Sequence, residues 1–217
     1  MRKALALLTL LVCGIVAGPI YVVVGVIEML TRTGFDLRRH SLSLLSNGDL
    51  GWVNMTLFVA TGVLLFAGAI GIRRALRGGR AGLWAPLLLG VYGLGLIGAG
   101  LFTADPAFGF PPGTPADANA ISWHGLLHFV CGGVGFIALI AACFVFARRF
   151  AAVGQRGWAW YSVMTGALFF AAFFGIAAGS GQGEATVAIV NVVFFVAAVL
   201  AWAWVSAVAA RLREEIK

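Results

Sequence analysis

The sequence predicts an all-α fold, one transmembrane bundle of six helices. Three observations predict it. Of the 217 residues, 61% are hydrophobic and 11% charged, against about half and a quarter in a soluble domain. Six apolar stretches each reach the roughly 20 residues a helix needs to cross a bilayer. The polar segments between them alternate in kind: basic clusters on one side, every His and most acids on the other. A chain this apolar cannot face water all round. No length is left over for a separate soluble domain, so residues 1–217 are expected to form one unit.

The first helix is expected at about residues 4–30. Its apolar run, from Ala4 to Ile27, is too long for a signal-peptide core and reads as a retained span. Gly18-Pro19 predicts a kink within it, and Glu28 stands near its end. A polar segment from Thr31 to Gly51 follows. The second helix, at about 52–72, begins at Trp52 and stops before Arg73, Arg74, Arg77 and Arg80. The third, at about 83–103, leads into a loop from Asp105 to Gly113 rich in Pro and Gly, the residues that make turns. The fourth, at about 122–147, ends at Arg148 and Arg149. The fifth, at about 158–179, meets the tight connection Ser180-Gly181-Gln182-Gly183. The sixth, at about 184–210, runs into a tail holding Arg211, Arg213 and Lys217.

Charge sets the expected orientation. Every Lys and Arg except Arg32, Arg38 and Arg39 falls on the side of the amino terminus. The positive-inside rule then puts both termini in the cytoplasm and the chain in the inner (plasma) membrane. Trp52, Trp84, Trp123 and Trp158 stand at helix starts, where interfacial aromatics are expected. The net charge of +7 is accounted for by these topology clusters and their contact with lipid phosphates. Membrane lipids are therefore the expected partners, and nucleic acid is not. Cys13, Cys131 and Cys143 all lie in apolar stretches with no CxxC pair, so they read as small apolar residues.

Lipid supplies no hydrophobic drive between helices, so close backbone approach must hold the bundle. Ala167, Ala171, Gly175 and Gly179 repeat every four residues. That stripe is expected to pack inside the bundle, with a homodimer face as the alternative. Asn54, Thr61, Ser162 and Asn191 are expected to hydrogen-bond between helices. A faint internal similarity matches Trp52, Phe58-Val59 and Gly62-Val63 to Trp123, Phe129-Val130 and Gly133-Val134.

The candidate chemistry gathers on the His side. His124 and His128 are four apart and share a helix face. His40 and Ser43 lie in the first loop of that side, Asp105 just past the third helix, and Glu28 and Glu184 at helix ends. Three His with a carboxylate suit zinc, so His40, His124 and His128 are the candidate ligands. Hydrogen bonding to loop backbone, or another role in binding, stays open. Haem fits poorly: His124 and His128 project from one helix, and a loop is a weak platform for the second axial ligand. Helices two, three, five and six carry no ionisable residue at mid-membrane, which counts against a coupled transporter.

The stretch from His40 through Leu45-Ser46-Asn47 to Trp52-Val53-Asn54 resembles the first outer loop of a bacterial membrane family catalogued as domain of unknown function 998. Gly100 to Pro106, then Gly113, His124 and His128, is similar to that family's second landmark, with Thr103 at the position of a turn Pro. The resemblance spans essentially the whole chain. It implies a six-helix bundle and no assigned activity. A more distant similarity is to the alkaline ceramidase and adiponectin receptor superfamily of zinc-dependent membrane hydrolases. Ser43, His40, Asp105, His124 and His128 match its chemical inventory. That superfamily has seven helices with the His pair on the last, whereas here the pair is on the fourth of six.

Three functions follow as expectations. The first is a non-enzymatic membrane protein holding a small molecule or lipid in an outward polar cavity under loops 31–51 and 105–121. The second is a metal-dependent hydrolase of outer-leaflet lipid. The third is a small channel or transporter.

Overall fold

In the computed structural model, residues 2–76, 78–118, 120–179 and 181–216 are described. Met1, Arg77, Asn119, Ser180 and Lys217 lie outside them, as does the side chain of Arg80. Among the described residues the chain forms six long helices: α1 (Arg2–Thr31), α2 (Gly51–Ala75), α3 (Gly79–Leu101), α4 (Trp123–Ala152), α5 (Arg156–Gly179) and α6 (Glu184–Glu214). All six are long and apolar enough to cross a membrane. A short 3₁₀ turn, Leu42–Ser46, sits in the first His-side loop.

The helix ends differ from expectation in one systematic way. At the Arg-rich end α2, α4 and α6 continue through their basic residues, to Ala75, Ala152 and Glu214. The apolar criterion marks where lipid ends, not where backbone hydrogen bonding ends, and Arg side chains can lie along the helix there. At the His end α3 stops two residues early, at Leu101, where Phe102 turns extended.

Each helix packs on its neighbours in chain order, and α6 returns to α1 to close the ring. Glycines set the seams. A side chain at Gly68 would strike the backbone of Gly14, one at Gly62 the carbonyl of Gly93, and one at Gly95 the carbonyl of Cys131 and the backbone of Gly135. Gly18 lies as close to the backbone of Trp202, and Gly166 to Cys143. The interior is filled by rings, one from each helix in a continuous run. Phe58 stacks on Tyr21 at 6.0 Å, and Tyr21 on Trp202 at 4.9 Å. Trp202 meets Tyr92 at 5.5 Å, Tyr92 meets Phe136 at 6.2 Å, and Phe136 meets Phe169 at 5.3 Å. Towards the Arg end Trp204, Phe146 and Phe150 are fully buried. There Trp204 Nε1–H donates to Ser162 Oγ at 2.9 Å, the interhelical bond expected of Ser162.

Two packing expectations are corrected. Ala167 and Ala171 are exposed, and a side chain at Gly175 would meet nothing within 4 Å. Of that stripe Gly179 is packed, close against Val190 of α6, and the buried residues of α5 are Ser162, Thr165, Gly166, Phe169, Ala172 and Gly179. Small residues permit close approach but do not say where the neighbour stands. The internal similarity does not extend to burial at one matched pair, where Phe58 is buried and Phe129 is 59% exposed. Thr61 bonds the carbonyl of Leu57 in its own helix instead of a neighbour.

Candidate functional site

Five of the six acids and bases singled out by sequence, and Ser43, are tied by hydrogen bonds into two groups at the His end. The first group joins α3 to α4. Ser122 caps α4: its Oγ accepts from the Gly125 N–H at 3.1 Å, satisfying one of the helix's unpaired donors. Asp105 holds that cap from outside. Its Oδ2 accepts from the Ser122 N–H at 2.8 Å and its Oδ1 from the Ser122 hydroxyl at 2.5 Å. Its negative charge sits at a helix amino end, where the macrodipole favours it. A side chain at Gly125 would collide with the Asp105 carboxylate, so only glycine fits the third helical position. Burial works against the charged form of Asp105, but the two Ser122 bonds outweigh it, and the carboxyl is held below its usual range.

The two His of α4 bind the frayed end of α3. His128 Nδ1–H is shared between the carbonyls of Ala99, at 2.9 Å, and Phe102, at 2.8 Å. His124 Nδ1–H donates to the Thr103 carbonyl at 3.1 Å. Carbonyls in the last turn of a helix have no partner within it, and the imidazoles supply one. His124 Nδ1 is also 3.9 Å from Asp105 Oδ1. Asp105 thus returns over the start of α4, as the short loop allows, but its hydrogen bonds go to Ser122. His128 is buried and His124 is partly exposed.

The second group joins the two long loops to α1 and α2. His40 is buried and uses both nitrogens on backbone: Nδ1 accepts from the Asp36 N–H at 2.9 Å, and Nε2–H donates to the Phe108 carbonyl at 3.0 Å. Phe108 has φ +54°, a left-handed conformation that non-glycine residues adopt rarely, followed by Gly109 at +85°. The carbonyl that His40 grips therefore belongs to the strained residue of the turn. Arg32 is the hub of this group. Its guanidinium donates to the carbonyls of Leu45, at 2.9 Å, and Asn47, lies 3.4 Å from Glu28 Oε1, and covers the Phe110 ring. Glu28 Oε2 in turn accepts from Asn54 Nδ2 at 3.1 Å, the interhelical bond expected of Asn54. Ser43 Oγ pairs with Ser41 Oγ inside the loop. Glu184 lies apart, exposed and 4.0 Å from Arg39.

The loop between α3 and α4 encloses a shallow hollow of about 450 Å³, walled by Asp105, Pro106, Thr114, Pro115 and Ser122. Trp123 beside it and Trp52 across the same end are mostly exposed.

The family model described as "Protein of unknown function (DUF998)" matches residues 15–211. The chain belongs to that family. No curated protein and no solved structure matches it. The matched span takes in both hydrogen-bonded groups of this DUF998 chain, all of α2 to α5, α1 from Ile15 onward and α6 as far as Arg211.

For zinc, the fit is poor. His40 spends both nitrogens on backbone. Among the described residues of this DUF998 chain, no three His, Cys, Asp or Glu side chains are grouped to hold a metal ion. The three cysteines are free thiols. Sequence reasoning missed Arg32, Ser122 and Gly125. Arg32 was counted only as a loop charge, though its spacing of four from Glu28 is the signature of a helical ion pair. Ser122 before an apolar run is a cap signal.

Proposed function

We propose that this protein is a non-enzymatic binding protein of the membrane, holding a small molecule or a lipid head group at the Asp105–Ser122 hollow. The observation that carries this reading is a carboxylate kept ionised at the wall of an open depression, beside an exposed interfacial tryptophan. That is the depth at which lipid head groups lie. The His pair supports the reading as a scaffold, since its Nδ1–H groups brace the ends of α3 and α4 that flank the hollow. The basic residues at the opposite end favour both termini in the cytoplasm of an inner membrane, which turns the hollow outward. The run of rings through the bundle leaves a channel reading without support, and the poor fit to zinc leaves the hydrolase reading without a metal-held step.

Hydrogen exchange in lipid nanodiscs tests this. The loop 105–122 is expected to exchange more slowly in discs of phosphatidylethanolamine and phosphatidylglycerol than in discs of phosphatidylcholine. The soluble probe phosphoethanolamine separates free head group from lipid. Equal exchange in every disc, and no response to the probe, rejects the reading. A topology assay runs beside it: Gly113→Cys is expected to label from outside intact cells, and labelling only from inside would reverse the orientation.

A further inference from the structure

The carboxylates of this chain that are drawn out of water each have an arginine, with one exception. Glu28, Glu215 and Asp36 have side chains 6%, 28% and 34% exposed. Their partners are Arg32 at 3.4 Å, Arg149 at 3.2 Å and Arg38 at 2.9 Å. Asp105 is 15% exposed, yet among the described residues its one ion-pair contact is His124 Nδ1 at 3.9 Å. That nitrogen gives its proton to the Thr103 carbonyl, and an imidazole is no permanent cation. Asp105 is thus an ionised carboxylate with hydrogen bonds from Ser122 but without a countercharge. The positive end of α4 offsets only about half of its charge.

The hollow beside Asp105 limits what can supply the missing charge. Asp105, Thr114 and Ser122 are its polar wall residues, and Pro106, Pro115 and Ile121 are among the apolar remainder. One carboxylate and two hydroxyls fall short of the roughly six oxygens that calcium takes. A quaternary ammonium is held by aromatic faces, and no aromatic residue is in the wall. An anion would face the Asp105 charge. A primary ammonium fits. Each Asp105 oxygen accepts one bond from Ser122 and keeps a lone pair, and the ammonium brings three donors.

The hollow also borders an apolar path. Ile121 in its wall and Trp123 next to it are mostly exposed. Below Ser122, Leu126, Val130 and Val134 follow every four residues along one face of α4, each about half exposed. A hydrocarbon chain can lie along that face with its head at the hollow.

We propose that the hollow receives the head of a primary-ammonium lipid, the ammonium donating to Asp105 and the hydrocarbon lying along Leu126, Val130 and Val134. This rests on the reading of the hollow as a lipid or small-molecule site and names the head-group class it takes.

Native mass spectrometry of the detergent-purified protein tests it with three lipids of the same acyl chains. Phosphatidylethanolamine carries the ammonium N–H donors. Phosphatidylcholine keeps the cation without them, and phosphatidylglycerol has neither. Phosphatidylethanolamine is expected to be retained about tenfold more strongly than the other two, as one hydrogen bond to a charged group implies. Asp105→Asn keeps an oxygen for Ser122 but removes the charge, and should abolish the preference. Ala120→Lys puts the chain's own ammonium at an exposed wall position and should abolish it too, with the α4 cap intact. Ethanolamine added in equal amount should not displace the lipid. Equal retention of the three lipids, a preference that survives either substitution, or displacement by ethanolamine would each overturn the proposal. If phosphatidylglycerol is retained best and loop 105–122 still responds to nanodisc lipid, the ammonium assignment fails and the broader binding reading stands.

Discussion

The two ends of the bundle are held by different forces. At the Arg end, Trp204, Phe146 and Phe150 are fully buried and glycine seams bring backbones into contact. At the His end, side chains bond to backbone carbonyls: His128 to Ala99 and Phe102, His40 to Phe108, Arg32 to Leu45 and Asn47. Packing tolerates no added volume but is indifferent to pH. Hydrogen bonding tolerates space, as at the hollow beside Asp105, but fails when a donor or acceptor is lost.

The sharpest way to break this comparison is Arg32→Met. It leaves Glu28 buried without its partner and frees two loop carbonyls. Loss of one member of a buried pair costs about 3–5 kcal/mol, read as a large fall in melting temperature in detergent. A small change would show that the loops do not depend on the hub. Next is Gly68→Leu against Gly175→Leu. The first forces α1 from α2 and should cost about 3 kcal/mol. The second projects into open space and should leave melting nearly unchanged. Equal losses would overturn the assignment of the packed face of α5.

His40→Phe keeps the ring volume but orphans the Asp36 N–H and the Phe108 carbonyl. A cost of about 1–3 kcal/mol is expected, with faster hydrogen exchange confined to the two His-end loops. Exchange rising equally at the Arg end would erase the contrast. Acid should act on the same end through Asp105. Its folded carboxyl is held below its usual range, so the unfolded chain takes up the proton first. The stabilisation is complete above about pH 4 and is lost as pH falls through the lower folded value. Asp105→Asn should flatten that part of the pH–melting profile. The smallest effect belongs to Phe108→Asn, which relieves a left-handed backbone and should gain a few tenths of a kcal/mol up to about 1; a loss would mean the Phe108 ring matters more than its φ.

The sequence made the six spans legible because bilayer thickness imposes length and apolarity on each one separately. Helix adjacency was less so: the α5 stripe at Ala167 and Ala171 had the right spacing and faces outward. The His end was legible as a cluster, and the return of Asp105 over α4 followed from loop length. The partners were legible only as alternatives. His40, His124 and His128 read either as a zinc ligand set or as side chains bonded to loop backbone, and the second is what the structure shows. What they bind is backbone carbonyl, which every residue carries and no residue type marks.

The closed ring has a consequence for biogenesis. The α1 face at Gly14 and Gly18 fits Ala209 and Trp202 of α6, yet α1 is synthesised first and α6 last. Until the final span inserts, that face of the first helix is covered by lipid or by an insertase, and α1 is held by α2 alone.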